Sequence, residues 1–209
     1  MILQLVQTYS AVSARYQVLS KDEVLYTGEY MPMQREIVLS KGHFPLYRLR
    51  QNPFQALKFS RQNPRSVRSM ELCDRDRGRI GEIYLHREKG WNKPCWFQLE
   101  RDNHIYRIYE VGLGKNGIKC PVYSQATQIG LLEKDPKVMD NLDVYRISVQ
   151  KSEDAIVCIL FGLYYDFVRF GNRGELCSKK VETRYIYTLN KEIRGMYDPT
   201  FSLKCSDEA

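Results

Sequence analysis

The chain has 209 residues, 43% hydrophobic, 12% aromatic and 27% charged, a globular composition that excludes disordered, collagen-like and coiled-coil classes. Lys and Arg number 32 against 25 Asp and Glu, and the resulting +7 permits an anionic partner without requiring one. At this length roughly 70% of the unfolded chain's surface is buried on folding, so neither disulfides nor a structural metal is needed for a core.

Residues 1–6 are apolar but carry no basic n-region and no small-residue cleavage site, which predicts a first strand rather than a secretory signal. From Tyr16 to Tyr145, short stretches of β-branched and aromatic residues are separated about every ten positions by Gly, Pro, Asn and Asp, the spacing of an all-β protein. Strands are predicted at 16–19, 36–39, 46–49, 56–59, 80–85, 95–99, 105–111 and 144–149. The turns between them are Lys41-Gly42, Asn52-Pro53, Asn63-Pro64, Arg77-Gly78, Asp102-Asn103 and Asn116-Gly117. Arg50-Gln51-Asn52-Pro53 recurs as Arg61-Gln62-Asn63-Pro64, an eleven-residue period that suits strand, turn, strand. A second echo, Arg79-Ile80-Gly81-Glu82-Ile83 against Gln128-Ile129-Gly130-Leu131-Leu132, places a glycine inside two strands where neighbouring backbone approaches or the strand bends.

Gly112-Leu113-Gly114-Lys115-Asn116-Gly117 satisfies Gly-x-Gly-x-x-Gly, yet a dinucleotide-binding turn must open a helix, and here Pro121 and a β-like run follow. No kinase segment accompanies it, so a glycine-rich hairpin turn is the expected structure. At Ser152 the pattern changes. Ser152-Glu153-Asp154 precedes an apolar run to Tyr165, then Asp166, Phe167 and Val168. Ser152 is the expected N-cap, with two acidic residues complementing the helix dipole, and Gly171 the expected stop. A helix at 153–170 that is apolar on nearly all sides must be enclosed, which suggests a barrel with the helix threaded through it. The eleven-residue core of the run is shorter than the roughly 20 residues a bilayer requires. Residues 172–209 form a polar extension with one strand-like stretch at 181–189.

Six scattered cysteines with no Cys-x-x-Cys pair read as reduced packing residues, and His43, His86 and His104 lack partners at metal-ligand spacing. No nucleophile elbow or cysteine nucleophile context is present. No catalytic residue, metal site or cofactor is therefore expected.

The run of hairpin-connected strands, then Tyr123-Ser124-Gln125-Ala126-Thr127-Gln128-Ile129-Gly130-Leu131-Leu132-Glu133-Lys134, then Asp143-Val144-Tyr145-Arg146-Ile147-Ser148-Val149, then the apolar helix after Glu153-Asp154, resembles the tubby C-terminal-like superfamily. That group includes the LURP-one-related proteins and the phospholipid scramblases. The resemblance covers residues 16–171, most specifically 76–170, and rests on pattern. It implies a closed antiparallel β-barrel of about twelve strands around a central hydrophobic helix in residues 1–171, followed by the 172–209 extension. The helix is followed by about forty extra residues, and residues 50–70 are unusually rich in arginine, two departures from the family. The resemblance implies no catalysis. Tubby proteins bind phosphoinositide head groups through Lys and Arg on the barrel surface, although the match does not carry to individual positions here. Scramblase activity is not expected, because the helix is too short to span a bilayer and no acidic metal-binding loop follows it.

Charge placement singles out one segment. Residues 35–68 hold Arg35, Lys41, Arg48, Arg50, Lys58, Arg61, Arg65 and Arg68 against Glu36 alone, which matches the formal excess of the whole chain. On a strand Leu46, Arg48 and Arg50 share a face opposite Tyr47 and Leu49. The guanidinium fork suits phosphate oxygens, whereas a solvated face guarding a sheet edge is the bland alternative. The expected function is a non-enzymatic, cytoplasmic binding or scaffolding module recruited peripherally to anionic phospholipid head groups through Arg48, Arg50, Lys58, Arg61, Arg65 and Arg68. Nucleic acid, with Tyr47 and Phe54 available for stacking, and a protein partner are the competing readings.

Overall fold

A computed structural model describes residues 1–51, 69–87, 94–140, 142–170 and 181–205. The predicted strand at 56–59, the Asn52-Pro53 and Asn63-Pro64 turns, most of the eleven-residue repeat, and Lys58, Arg61, Arg65 and Arg68 lie outside the described residues, as do Cys177 and Gly171.

Twelve antiparallel strands close on themselves. In chain order they are β1 (Ile2–Ser10), β2 (Ala14–Ser20), β3 (Glu23–Met31), β4 (Glu36–Lys41), β5 (Phe44–Gln51), β6 (Met70–Cys73), β7 (Arg79–Arg87), β8 (Cys95–Arg101), β9 (His104–Ile108), β11 (Ile118–Ser124), β12 (Thr127–Lys134) and β14 (Val144–Val149). The first nine pair in sequence, β1 returns to β14, β14 to β12 and β12 to β11, and β9 meets β11 through Val122 opposite Ile108. Closure leaves no long free edge in the wall. Short β10 (Val111–Gly112) continues the sheet beside β11, and β13 (Lys137–Val138) pairs with β15 (Glu182–Thr183).

The strands arise from period-two patterning. In β1, Leu3, Leu5 and Gln7 turn inward and are buried, while Gln4 and Thr8 face out. Two-residue turns with both φ angles positive join the hairpins at Lys21–Asp22 (48° and 70°) and Asp102–Asn103 (50° and 64°), the twist that tight hairpins demand. The predicted 105–111 strand instead divides after Ile108. The chain leaves the ladder at Tyr109 and Glu110, so that Glu110 turns toward the helix C-terminus and accepts from Tyr165 Oη at 3.0 Å and Arg169 Nε at 2.8 Å.

Helix α1 (Ala155–Arg169) runs through the barrel. Every residue from Val157 to Asp166 is buried, which covers all faces of the helix, and its partners come from all round the wall. Phe161 meets Phe97 of β8 at 5.6 Å between ring centres, Phe167 meets Tyr30 of β3 at 4.6 Å, and Asp166 meets Tyr16 of β2 and Tyr145 of β14. Both echoed glycines mark close approach. A Cβ on Gly130 falls 2.3 Å from Cys158 Sγ of the helix, and one on Gly81 falls 1.8 Å from the carbonyl oxygen of Glu100. Ser152 is not the N-cap. The chain enters through a 3₁₀ turn at Ser152–Asp154, and Asp154 occupies the cap position without a side-chain hydrogen bond.

The described part of the extension packs on the outside of the barrel. Residues 181–189 cross the helix C-terminal mouth, where Arg184 stacks over Phe170 with 5.9 Å to its ring centre. Helices α2 (Lys191–Gly195) and α3 (Phe201–Lys204) follow, with α2 capped by Asn190, whose side chain accepts from the backbone of Glu192 and Ile193. Phe201 and Cys205 bury against Leu131 on the outer face of β12, and the Met1 amine donates to the carbonyls of Val149 and Cys205, both at 2.9 Å.

Candidate functional site

The basic face begins on β5. Leu49 is buried inward, so Arg48 and Arg50 share the outward face. Arg48 Nη1 donates to Glu36 Oε1 at 2.7 Å, with both side chains largely covered, at 13% and 11% exposure. Arg50 Nη2 approaches Cys73 Sγ at 3.6 Å. The Nε atoms of both arginines are buried without a hydrogen-bond acceptor. Beside Arg48 opens a surface cleft of about 270 Å³ lined by outward residues of β1 to β5, among them Arg15, Gln17, Thr27 and Val38.

Sheet register changes the charge of this face. Arg50 stands opposite Glu36 on one side and Glu71 on the other, and Glu71 stands opposite Glu82, which accepts from Arg79 at 3.1 Å. Glutamates from β6 and β7, distant in sequence from the basic window, thus sit beside the arginines of β5. Lys58, Arg61, Arg65 and Arg68 of the window fall in sequence between β5 and β6, outside the described residues.

A second constellation lies inside the barrel, in the last turns of α1. Asp166 is fully buried and accepts from Tyr16 Oη and Tyr145 Oη, each at 2.7 Å, and from Gln7 Nε2 at 3.4 Å. Gln7 also accepts from the backbone N–H of Asp143 at 3.1 Å. Asp143, 1% exposed, takes a hydrogen bond from the ammonium of Lys134, 3% exposed, and that ammonium lies over the rings of Phe170 and Tyr145. Burial pushes the Asp166 carboxyl up to about 7, reinforced by the charge of Asp143. Asp143 Oδ2 is buried without a hydrogen-bond donor. Burial, then Asp166, also raises the Tyr16 and Tyr145 hydroxyls well above the ordinary tyrosine range. The cluster is closed to solvent and locks the helix to β1, β2, β12 and β14. The sequence reading passed over it, although a lone aspartate in an otherwise apolar enclosed helix must find donors.

His43 and His104 are exposed, His86 stacks on Trp96 at 4.3 Å, and the described residues contain no cluster able to hold a metal. Cys73, Cys95, Cys120, Cys158 and Cys205 are free thiols. The glycine-rich segment closes a tight loop in which Gly114 and Gly117 have φ of 61° and 76°, and strand β11 follows it rather than a helix. No protein-family model, curated protein or solved structure matches the chain.

Proposed function

We propose that the chain is a tubby-like barrel acting as a non-enzymatic binding or scaffolding module, and that it takes anionic phospholipid head groups on its exterior. The observation that carries this reading is the full bore: α1 and the inward side chains occupy the interior, so a partner meets the outer surface. Arg48 and Arg50 mark where the basic segment starts, and Lys58, Arg61, Arg65 and Arg68 continue it. Each Lys or Arg near an anionic surface contributes about 1 kcal/mol, so a group of this size suffices for reversible recruitment. Among the described residues no helix is long and apolar enough to cross a membrane, which suits a peripheral, cytoplasmic role. The sealed Asp143–Asp166–Lys134 cluster offers no substrate access, which favours binding over catalysis.

Flotation with phosphatidylcholine vesicles, with and without phosphatidylserine and phosphoinositide, tests the proposal against filter binding of single-stranded RNA at matched salt. Association that requires the anionic lipids supports it. Retention of RNA without vesicle association assigns the basic segment to nucleic acid instead.

A further inference from the structure

The hairpins of the wall turn alternately at two ends of the barrel, and the two ends display different residues. α1 runs from the end at which β14 finishes toward the end at which β1 finishes, since Gly162 packs against Leu5 and Asp166 meets Gln7. Where α1 starts, the connections are Lys21-Asp22, Gly42-His43, 74–78, Asp102-Asn103, Gln125-Ala126 and 150–154, and each is neutral or acidic. At the helix C-terminal mouth, the β1–β2 and β3–β4 connections are Ala11-Val12-Ser13 and Pro32-Met33-Gln34-Arg35. Each holds an apolar side chain clear of the wall, Val12 at 73% exposure and Met33 at 93%. Ala11 N–H donates to Ser13 O at 2.9 Å and closes the turn beneath Val12, while Gln51 N–H donates to Arg35 O at 3.0 Å and fixes the Met33 turn to the end of β5. There the connection to β6 begins, and its sequence carries Lys58, Arg61, Arg65 and Arg68 with no acidic residue. Across the mouth the β12–β14 connection holds Asp135, Asp140 and Asp143 against Lys137, but residues 181–189 cross that sector, where β13 pairs with β15.

Scattered apolar side chains on a surface need no explanation. Val12 and Met33 are not scattered. They crown turns two strand spacings apart, roughly 10 Å, at one rim and next to the most basic stretch of the chain. Turns ordinarily take polar residues, and neither side chain touches the core. Near the end of β1, Tyr9 is 46% exposed and carries the Arg15 guanidinium 5.8 Å from its ring centre, an amphipathic ring beside a cation that suits head-group level. Arg35 is exposed beside Met33. Single protruding side chains have no groove or flat patch around them to match a folded partner, whereas a fluid bilayer receives them without a preformed pocket, and its anionic surface complements the charge at this end. We infer that the barrel docks end-on, with the Val12 and Met33 tips inserted into the head-group boundary of an anionic membrane and Tyr9, Arg15 and Arg35 at head-group level. The inference rests on the membrane reading above and adds to it an orientation and an apolar contact.

Flotation with phosphatidylcholine vesicles containing phosphatidylserine and phosphoinositide tests it on wild type, a Val12→Ser, Met33→Ser double variant and Phe44→Ser. Phe44, 63% exposed at the opposite end, controls for loss of apolar surface as such. The double variant should lose affinity on the order of 10-fold with unchanged circular dichroism, and Phe44→Ser should float like wild type. A double variant that floats like wild type leaves the membrane reading standing and overturns end-on insertion, as does an equal loss from Phe44→Ser. A wild type that does not float overturns the membrane reading and this inference together.

Discussion

Asp166 is held by two tyrosine hydroxyls and a glutamine inside the barrel, with none of its surface exposed to solvent. Its carboxyl titrates near 7 when folded and near 3.9 when unfolded, so the native state binds the extra proton between those values. The stabilising contribution is complete below about pH 4 and is lost as pH rises through 7, with a slope of at most about 1.4 kcal/mol per pH unit. In urea unfolding from pH 4 to 8, Asp166→Asn should flatten that dependence; an unchanged slope removes Asp166 as its source. Gly130 gives a second residue-scale prediction. Its missing Cβ leaves room for Cys158 Sγ, so Gly130→Ala should destabilise by about 1–3 kcal/mol. Cys158→Ala should restore much of that loss, and a double-mutant cycle measures the coupling. The special status of Gly130 was legible because it interrupts an apolar alternation. That a helix sulfur fills the space was not, since it depends on contact between residues 28 positions apart.

At the scale of elements, α1 is the best-specified part of the chain. Fifteen residues with almost no polar side chain have no solvent-facing side, and enclosure follows from composition. Phe161, fully buried between Phe97 and Tyr165, should cost about 3–5 kcal/mol when replaced by alanine, read as a fall in the urea midpoint. Strands β3 and β6 were missed for identifiable reasons. β3 carries Glu23, Thr27, Gly28 and Glu29 and has weak alternation, and β6 is four residues long and relies on β5 and β7 for its place. The Ser152 cap failed because a 3₁₀ turn precedes the helix, a choice set by how the chain leaves β14. Residues 181–205 cover the mouth and the outer face of β12, burying Ile193 and Phe201, each worth about 1.5–3 kcal/mol. Truncation after residue 180 should lower the melting temperature while leaving the barrel's β-rich circular dichroism.

For the whole molecule, hairpin spacing and an enclosed apolar helix pointed to a barrel threaded by that helix, because only a curved sheet can surround an apolar rod, whereas the count of about twelve strands came from the resemblance alone. Charge was less legible. A linear window assigned the full excess to residues 35–68 with one opposing glutamate, but register sets Glu71 opposite Arg50 and Glu82 beyond it. Sequence distance hides such pairs, since β6 and β7 reach β5 only through folding. The proposed head-group contacts therefore rest chiefly on Arg61, Arg65 and Arg68, between β5 and β6 in sequence. Charge reversal there is the most direct test: flotation of wild type and an Arg61→Glu, Arg65→Glu, Arg68→Glu variant with phosphoinositide-containing vesicles, after circular dichroism confirms that both are folded. With three contacts worth about 1 kcal/mol each, vesicle affinity should fall on the order of 100-fold or more. A folded variant that floats like wild type, or a wild type that never leaves the bottom fraction, contradicts the account.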